Sequence, residues 1–330
     1  MTAKVSRRQF IKLSAAALGG AALMTDTKGV GASSGVDPAA VPAMLIDVSR
    51  CIGCGNCQRS CIEANDLHPT TEQAKKLSAE NFTYLQEVKL EGNKTRYVKR
   101  QCMHCVNAAC ASACPVSALH QTKEGPIAYK VDRCLGCRYC MVACPFDVPK
   151  FEWDDGVTPE IRKCMFCIER QRAGQAPACV SNCPSGALKL GTRDELLKEA
   201  HARIEASNGR YVNHVFGEHE AGGTAMLYIS DTPFELLGFR TDVTTREVPG
   251  YTWDIMSKLP PVIGSMAVVL TGAALWTRKR NGHHDDTPPW ERAAHERDTE
   301  HGHVVIEPNR SEERAAHDER TAHDERSAGA

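Results

Sequence analysis

Sixteen cysteines fall into four groups of four, with none left over. Group one is Cys51, Cys54, Cys57 and Cys61; group two is Cys102, Cys105, Cys110 and Cys114; group three is Cys134, Cys137, Cys140 and Cys144; group four is Cys164, Cys167, Cys179 and Cys183. Groups one and three read C-x2-C-x2-C-x3-C. Groups two and four lengthen the middle spacer to four and eleven residues and keep the C-x3-C ending. Such spacing suits a cubane of four irons and four sulfides. Intervals of two residues let one loop set three thiolates on three irons, and the fourth cysteine points away to ligate a neighbouring cluster, so that groups work in pairs. All sixteen residues are therefore candidate iron ligands, enough for four [4Fe–4S] clusters.

Two other uses of cysteine fit less well. A disulfide scaffold is normally small and does not call for four groups of this spacing. Structural zinc takes C-x2-C pairs, whereas every group here ends in C-x3-C, and proline follows the last cysteine at Pro115, Pro145 and Pro184. Ile62 takes that place in group one. Gly53, Gly55 and Gly136 suit loops that need positive φ and that turn backbone N–H groups toward anionic sulfur. His104 stands between two cysteines, but four thiolates already complete a site, which leaves it a role beside the ligands or at the surface. Arg50, Arg133, Arg138 and Lys163 flank cysteines and either favour the reduced, more negative cluster or are solvated surface charge.

The elements that position these groups are short. Phe82–Leu90 and Lys94–Arg100 flank Glu91-Gly92-Asn93, and Pro126–Val131 follows a Lys123-Glu124-Gly125 turn, which predicts hairpins. Helical pieces are expected beside the cysteines, so the fold class is α+β, built of small ferredoxin-like units wrapped on clusters. Aromatic content is only 6%, so the cofactors replace part of the core, and metal binding and folding become one event. Thr192-Arg193-Asp194-Glu195 is a capping box that opens a helix through about Glu205. A formal charge of −1 gives no electrostatic case for nucleic-acid binding.

Both ends of the chain carry addresses. Ser6-Arg7-Arg8-Gln9-Phe10-Ile11-Lys12, then an Ala/Gly-rich stretch and Val30-Gly31-Ala32, resembles a twin-arginine (Tat) signal, which exports proteins already folded around their cofactors. Residues 33–43 read as a flexible linker. Leu259 to Thr277 carries no charge, and its 19 residues reach about 28 Å, close to the ~30 Å hydrocarbon core. A buried helix of a soluble protein is the competing reading, since glycine and alanine dilute the segment. Arg278-Lys279-Arg280 after it places the C-terminus in the cytoplasm and the cysteine region outside. The tail holds seven of the 13 histidines in low-complexity repeats and is expected to be disordered. The expected boundaries are a leader at 1–32, a linker at 33–43, a cluster domain at 44–190, an extension at 191–258, a transmembrane helix at 259–277 and a cytoplasmic tail at 278–330.

The region 44–190 resembles the four-cluster ferredoxin-type subunits of membrane-bound respiratory enzymes, a module shared by formate dehydrogenases, molybdopterin reductases and some hydrogenases. The most specific likeness is to the HybA-type iron–sulfur subunits of hydrogenase-2, carried by QCMHC (101–105), CPVSAL (114–119), CRYCMVACP (137–145), VPKF (148–151), GTRDEL (191–196) and RKRNGHHDD (278–286). The resemblance implies that groups one and four exchange fourth ligands, as do groups two and three. The sets are then Cys51, Cys54, Cys57 and Cys183; Cys164, Cys167, Cys179 and Cys61; Cys102, Cys105, Cys110 and Cys144; and Cys134, Cys137, Cys140 and Cys114. Spacing alone leaves the pairing open, because 19 residues separate group two from three and also three from four. The resemblance further implies a place between a periplasmic [NiFe] hydrogenase and an integral quinone-reacting subunit at the inner membrane. No nucleophile or acid–base constellation stands out, so the chain is expected to be a non-catalytic electron carrier. The equivalent subunit of another respiratory complex is the alternative, and a reductase with its own substrate is a more distant one.

Overall fold

The computed structural model describes residues 36–281. The expected Tat leader, the first residues of the linker and all but the start of the tail lie outside them. The described residues up to Gly264 belong to one compact unit and those from Ser265 to a second.

The first unit is organised by a three-stranded sheet in the order β8-β1-β9. Strand β1 (Pro42–Asp47) takes up the last two residues of the expected linker, because Val41 and Ala43 are buried. It pairs antiparallel with β8 (Leu188–Thr192) and parallel with β9 (Met226–Ile229). Successive side chains of a strand point to opposite faces, and both faces here are apolar. Ala43, Leu45, Leu227 and Ile229 pack under Leu196, Ala200 and Ile204. Those last three lie on the helix Arg193–Glu205, whose capping box forms as expected: the Glu195 N–H donates to Thr192 Oγ1 and the Thr192 N–H to Glu195 Oε2. On the other face Met44, Ile46, Met226 and Tyr228 pack with Val98, Phe166, Phe216 and Phe239, and with Cys57, Cys105, Cys179 and Cys183. One face of the sheet is thus a conventional core, and the other meets the cysteine region. Residues 191–258, expected as an extension, complete the central sheet instead, a role hidden in the sequence because β9 pairs with a strand nearly two hundred residues earlier.

Three hairpins frame the cysteines. Strands β2 (Tyr84–Leu90) and β3 (Lys94–Arg100) pair through the Glu91-Gly92-Asn93 turn, with Gly92 and Asn93 at positive φ. Strands β4 (Leu119–Gln121) and β5 (Ile127–Tyr129) form the second, and β6 (Lys150–Phe151) and β7 (Ile161–Arg162) the third. The helices between them are mostly four or five residues long: α2 (Ala109–Ser112), α3 (Tyr139–Ala143), α4 (Ile168–Arg172) and α5 (Ala178–Ser181). Helix α1 (Asn56–Ala64) runs for nine residues. Proline after the closing cysteine stops a helix in groups two to four, and Ile62 lets α1 continue past Cys61.

The C-terminal helix, Leu259–Asn281, has 23 residues, about 35 Å at 1.5 Å each. With the nine-residue helix Val248–Met256 before it, Val248–Arg280 is long and apolar enough to cross a membrane by length and composition. Val262, Ile263, Val268, Val269, Leu270 and Leu275 are all exposed, unlike the side chains of a buried core helix.

Candidate iron–sulfur centres

Each cysteine group is shaped by one repeated backbone device. The residue just before the second cysteine has left-handed backbone in all four groups: Gly53, His104, Gly136 and Phe166, at φ of +75°, +46°, +66° and +57°. Glycine meets this demand at little cost, and His104 and Phe166 meet it under strain. The turn aims N–H groups at sulfur. Gly136 N lies 3.4 Å from Cys134 Sγ and Phe166 N 3.3 Å from Cys164 Sγ. A second device follows the closing cysteine of groups two to four. Ser117, Asp147 and Gly186 have positive φ, and their N–H groups donate to the carbonyls of Cys114, Cys144 and Cys183 at 3.2, 3.2 and 3.3 Å. Donors aimed at sulfur favour thiolate over thiol.

The cysteines come together across groups. Cys51, Cys54, Cys57 and Cys183 line one cavity, walled by Ile46, Leu85, Tyr97 and Leu188. Cys61, Cys164, Cys167 and Cys179 line a second, walled by Met44, Phe82, Phe166 and Pro177. Groups one and four are therefore intermixed, each cavity taking three cysteines from one group and the closing cysteine of the other. In groups two and three the closing cysteines, Cys144 and Cys114, likewise lie near thiols of the other group. Burial first, and then the charges of Cys144, Cys110 and Cys102, push the Cys105 thiol well up. Burial, with Cys114, Cys134 and Cys137 around it, pushes Cys140 up to about 11. Neighbouring sets lie within electrostatic reach of one another. Cys57 feels Cys179 of the second set, Cys164 feels Cys102 of the third, and Cys110 feels Cys140 of the fourth. Only the two end sets contain an exposed cysteine, Cys54 and Cys137.

All sixteen cysteines are free of disulfides. Among the described residues, no three His, Cys, Asp or Glu side chains gather around a point that one metal ion could fill. A zinc site draws its thiolates to about 2.3 Å from one ion, whereas a four-iron cluster needs them spread on separate irons. Four thiols around an apolar-walled space, with N–H groups aimed at sulfur, fit the cluster. Burial first, with neighbouring cysteines adding to it and the charges of Lys99 and Lys163 opposing it, pushes Cys61 and Cys110 up to about 12.

The charges near the cysteines divide sharply. Arg50, Arg133 and Arg138 are exposed, and Arg138 stacks on Trp153 with its guanidinium 5.0 Å from the ring centre. Lys163 is buried, donating from Nζ to the carbonyls of Ile127 at 2.6 Å and Cys164 at 2.9 Å. His104 is buried too. Its Nδ1 accepts the Ile127 N–H at 3.1 Å, and burial, with Lys163 nearby, lowers its pKa well below the usual value. The neutral ring then carries its proton on Nε2. A second buried cation, Lys99, was not singled out by sequence reasoning; its place two residues from Tyr97, on one face of β3, is the signal that could have found it.

Comparison with known proteins agrees with this geometry. Two family matches, both described as a 4Fe-4S dicluster domain, cover residues 50–118 and 93–193. A protein of Nitratidesulfovibrio vulgaris is 37% identical over 84% of this chain and 78% of its own length. The hydrogenase-2 operon protein HybA of Escherichia coli O157:H7 is 34% identical over 85% of this chain and 98% of its own length. The chain belongs to the HybA family. The iron–sulfur subunit of the nitrate-inducible formate dehydrogenase of Escherichia coli K12 is 36% identical over a shorter stretch, 57% of this chain. This HybA-family chain is an iron–sulfur electron-transfer subunit of a respiratory oxidoreductase that binds [4Fe–4S] clusters.

Proposed function

We propose that the chain is a non-catalytic wire of four [4Fe–4S] clusters, carrying electrons between a periplasmic [NiFe] hydrogenase and an integral quinone-reacting subunit. The proposed ligands are the four cysteine sets described above. Each cluster, when bound, takes up and releases one electron at a time. The protein keeps the inner sets away from water and brings an end set to the surface on either side. The exposure of Cys54 and Cys137, in the first and fourth sets, while the other fourteen cysteines are buried or half-buried, is the observation that carries the reading. Exposed apolar side chains surround both ends: Ile52 beside Cys54, and Leu135, Tyr139 and Val142 around Cys137. They offer faces on which redox partners dock. A Tat leader at 1–32 and Arg278-Lys279-Arg280 after the apolar helix support a cluster domain on the periplasmic side of the inner membrane and a tail in the cytoplasm.

The near-complete overlap with the hydrogenase-2 operon protein favours hydrogenase over formate dehydrogenase as donor enzyme, since the formate dehydrogenase likeness covers little beyond half the chain. The test is reconstitution in liposomes. With hydrogen as donor, hydrogenase plus this chain should bleach the cluster absorbance and reduce an artificial dye. A menaquinone analogue should be reduced only after the integral partner is added. Bleaching by formate and formate dehydrogenase, without a response to hydrogen, assigns the chain to the other complex.

A further inference from the structure

Lys99 is 2% exposed, and among the described residues no carboxylate forms an ion pair with it. Its ammonium donates to Thr83 Oγ1 at 2.9 Å and to Gln101 Oε1. These neutral acceptors hold the nitrogen in place and leave one of its three hydrogens without a protein acceptor. The cradle is itself braced: Thr83 Oγ1 donates to the Arg100 carbonyl, Gln101 Nε2 donates to Met226 Sδ, and Tyr228 Oη donates to the Lys99 carbonyl. A buried cation without a counter-charge is costly, and such groups persist when something else supplies the charge. Lys99 lines both the cavity of Cys51, Cys54, Cys57 and Cys183 and that of Cys61, Cys164, Cys167 and Cys179.

We infer that Lys99 is a positioning residue for electron transfer, a fixed positive charge between the first two cluster sites that raises the reduction potential of both and screens their mutual repulsion. This rests on the proposed cluster sites. A [4Fe–4S] core with four thiolates is an anion, and one-electron reduction adds a further negative charge. A cation held between two such sites favours the reduced form of each, strongly so away from water. The apolar walls of both cavities supply that low-dielectric setting. Lys99 lines the cavities of the first two sets, whereas Lys163 stands near the second and third.

The test is a potentiometric titration with dithionite, followed by electron paramagnetic resonance, on the full cluster-loaded chain. Wild-type protein must first show four clusters; a smaller number overturns the cluster reading and not the role of Lys99. In Lys99→Met two of the four reduction equilibria should fall at least tenfold, about 59 mV for a one-electron couple, while two stay unmoved. Lys99→Gln should match it, and Lys99→Arg, which keeps the charge, should restore the wild-type values. The Gln and Arg pair carries the test if the methionine variant loses iron. Unchanged potentials in Lys99→Gln, or equal shifts in the Gln and Arg variants, overturn the inference.

Discussion

Cys51 and Cys183 line the same cavity, although one opens the first cysteine group and the other closes the last. The central sheet causes this. The chain leaves β1 at Asp47 and reaches Cys51 within one short turn, while Cys183 lies just before Leu188, where β8 begins. Because β1 and β8 run antiparallel, with Ile46 opposite Leu188, the two cysteines are delivered to one end of the sheet. The meeting of Cys51 and Cys183 is thus written in a strand register that no cysteine spacing encodes.

Variants of the two residues should share one phenotype. Cys51→Ser and Cys183→Ser should alter the same paramagnetic signal, and the double variant should add no second loss. If Cys183→Ser instead perturbs the signal affected by Cys164→Ser, the exchange is wrong.

The loop geometry makes a separate prediction at glycine. Gly53 has φ of +75°, and a Cβ there would sit 2.6 Å from the Tyr97 ring. Gly55 has φ of +72° but open space around it. Left-handed backbone costs a non-glycine residue about 1–2 kcal/mol. Gly55→Ala should show about that loss in thermal stability, and Gly53→Ala a larger one with iron lost from the first site. Equal effects would mean that Tyr97 yields freely.

His104 separates ligand from neighbour. In His104→Leu the iron content should stay at the wild-type level, because the histidine is beside the cluster site. The Ile127 N–H would lose its acceptor, which costs about 1–3 kcal/mol and should lower the thermal midpoint. A drop of about four irons per chain would make His104 a ligand.

Much of this was legible in the sequence, and the limits have physical causes. The hairpin expected over 82–100 and the capping box at Thr192 are local, and each matches the structure within about two residues. Long-range pairing was not legible. Nothing near Met226 announces a strand parallel to β1, and the buried state of Lys99 depends on Thr83, Gln101 and Tyr228 meeting around it. Likewise Arg50, Arg133, Arg138 and Lys163 look alike as sequence, yet only Lys163 is enclosed.

Membrane orientation rests on residues at both ends of the chain. External protease applied to spheroplasts should digest the cluster region and spare a tag fused after the C-terminus. Replacing Arg7 and Arg8 with lysine should leave cluster-loaded protein in the cytoplasm. A protected cluster region in the unmodified strain would reverse the proposed sidedness.

The central claim is that sixteen cysteines in four spatial sets hold four clusters. It is tested most directly by iron and acid-labile sulfide analysis of anaerobically purified full-length protein. The account predicts about 16 irons and about 16 sulfides per chain, since each set of four thiolates holds one four-iron cluster. A reproducible value near 8 irons, or stoichiometric zinc in their place, would contradict it.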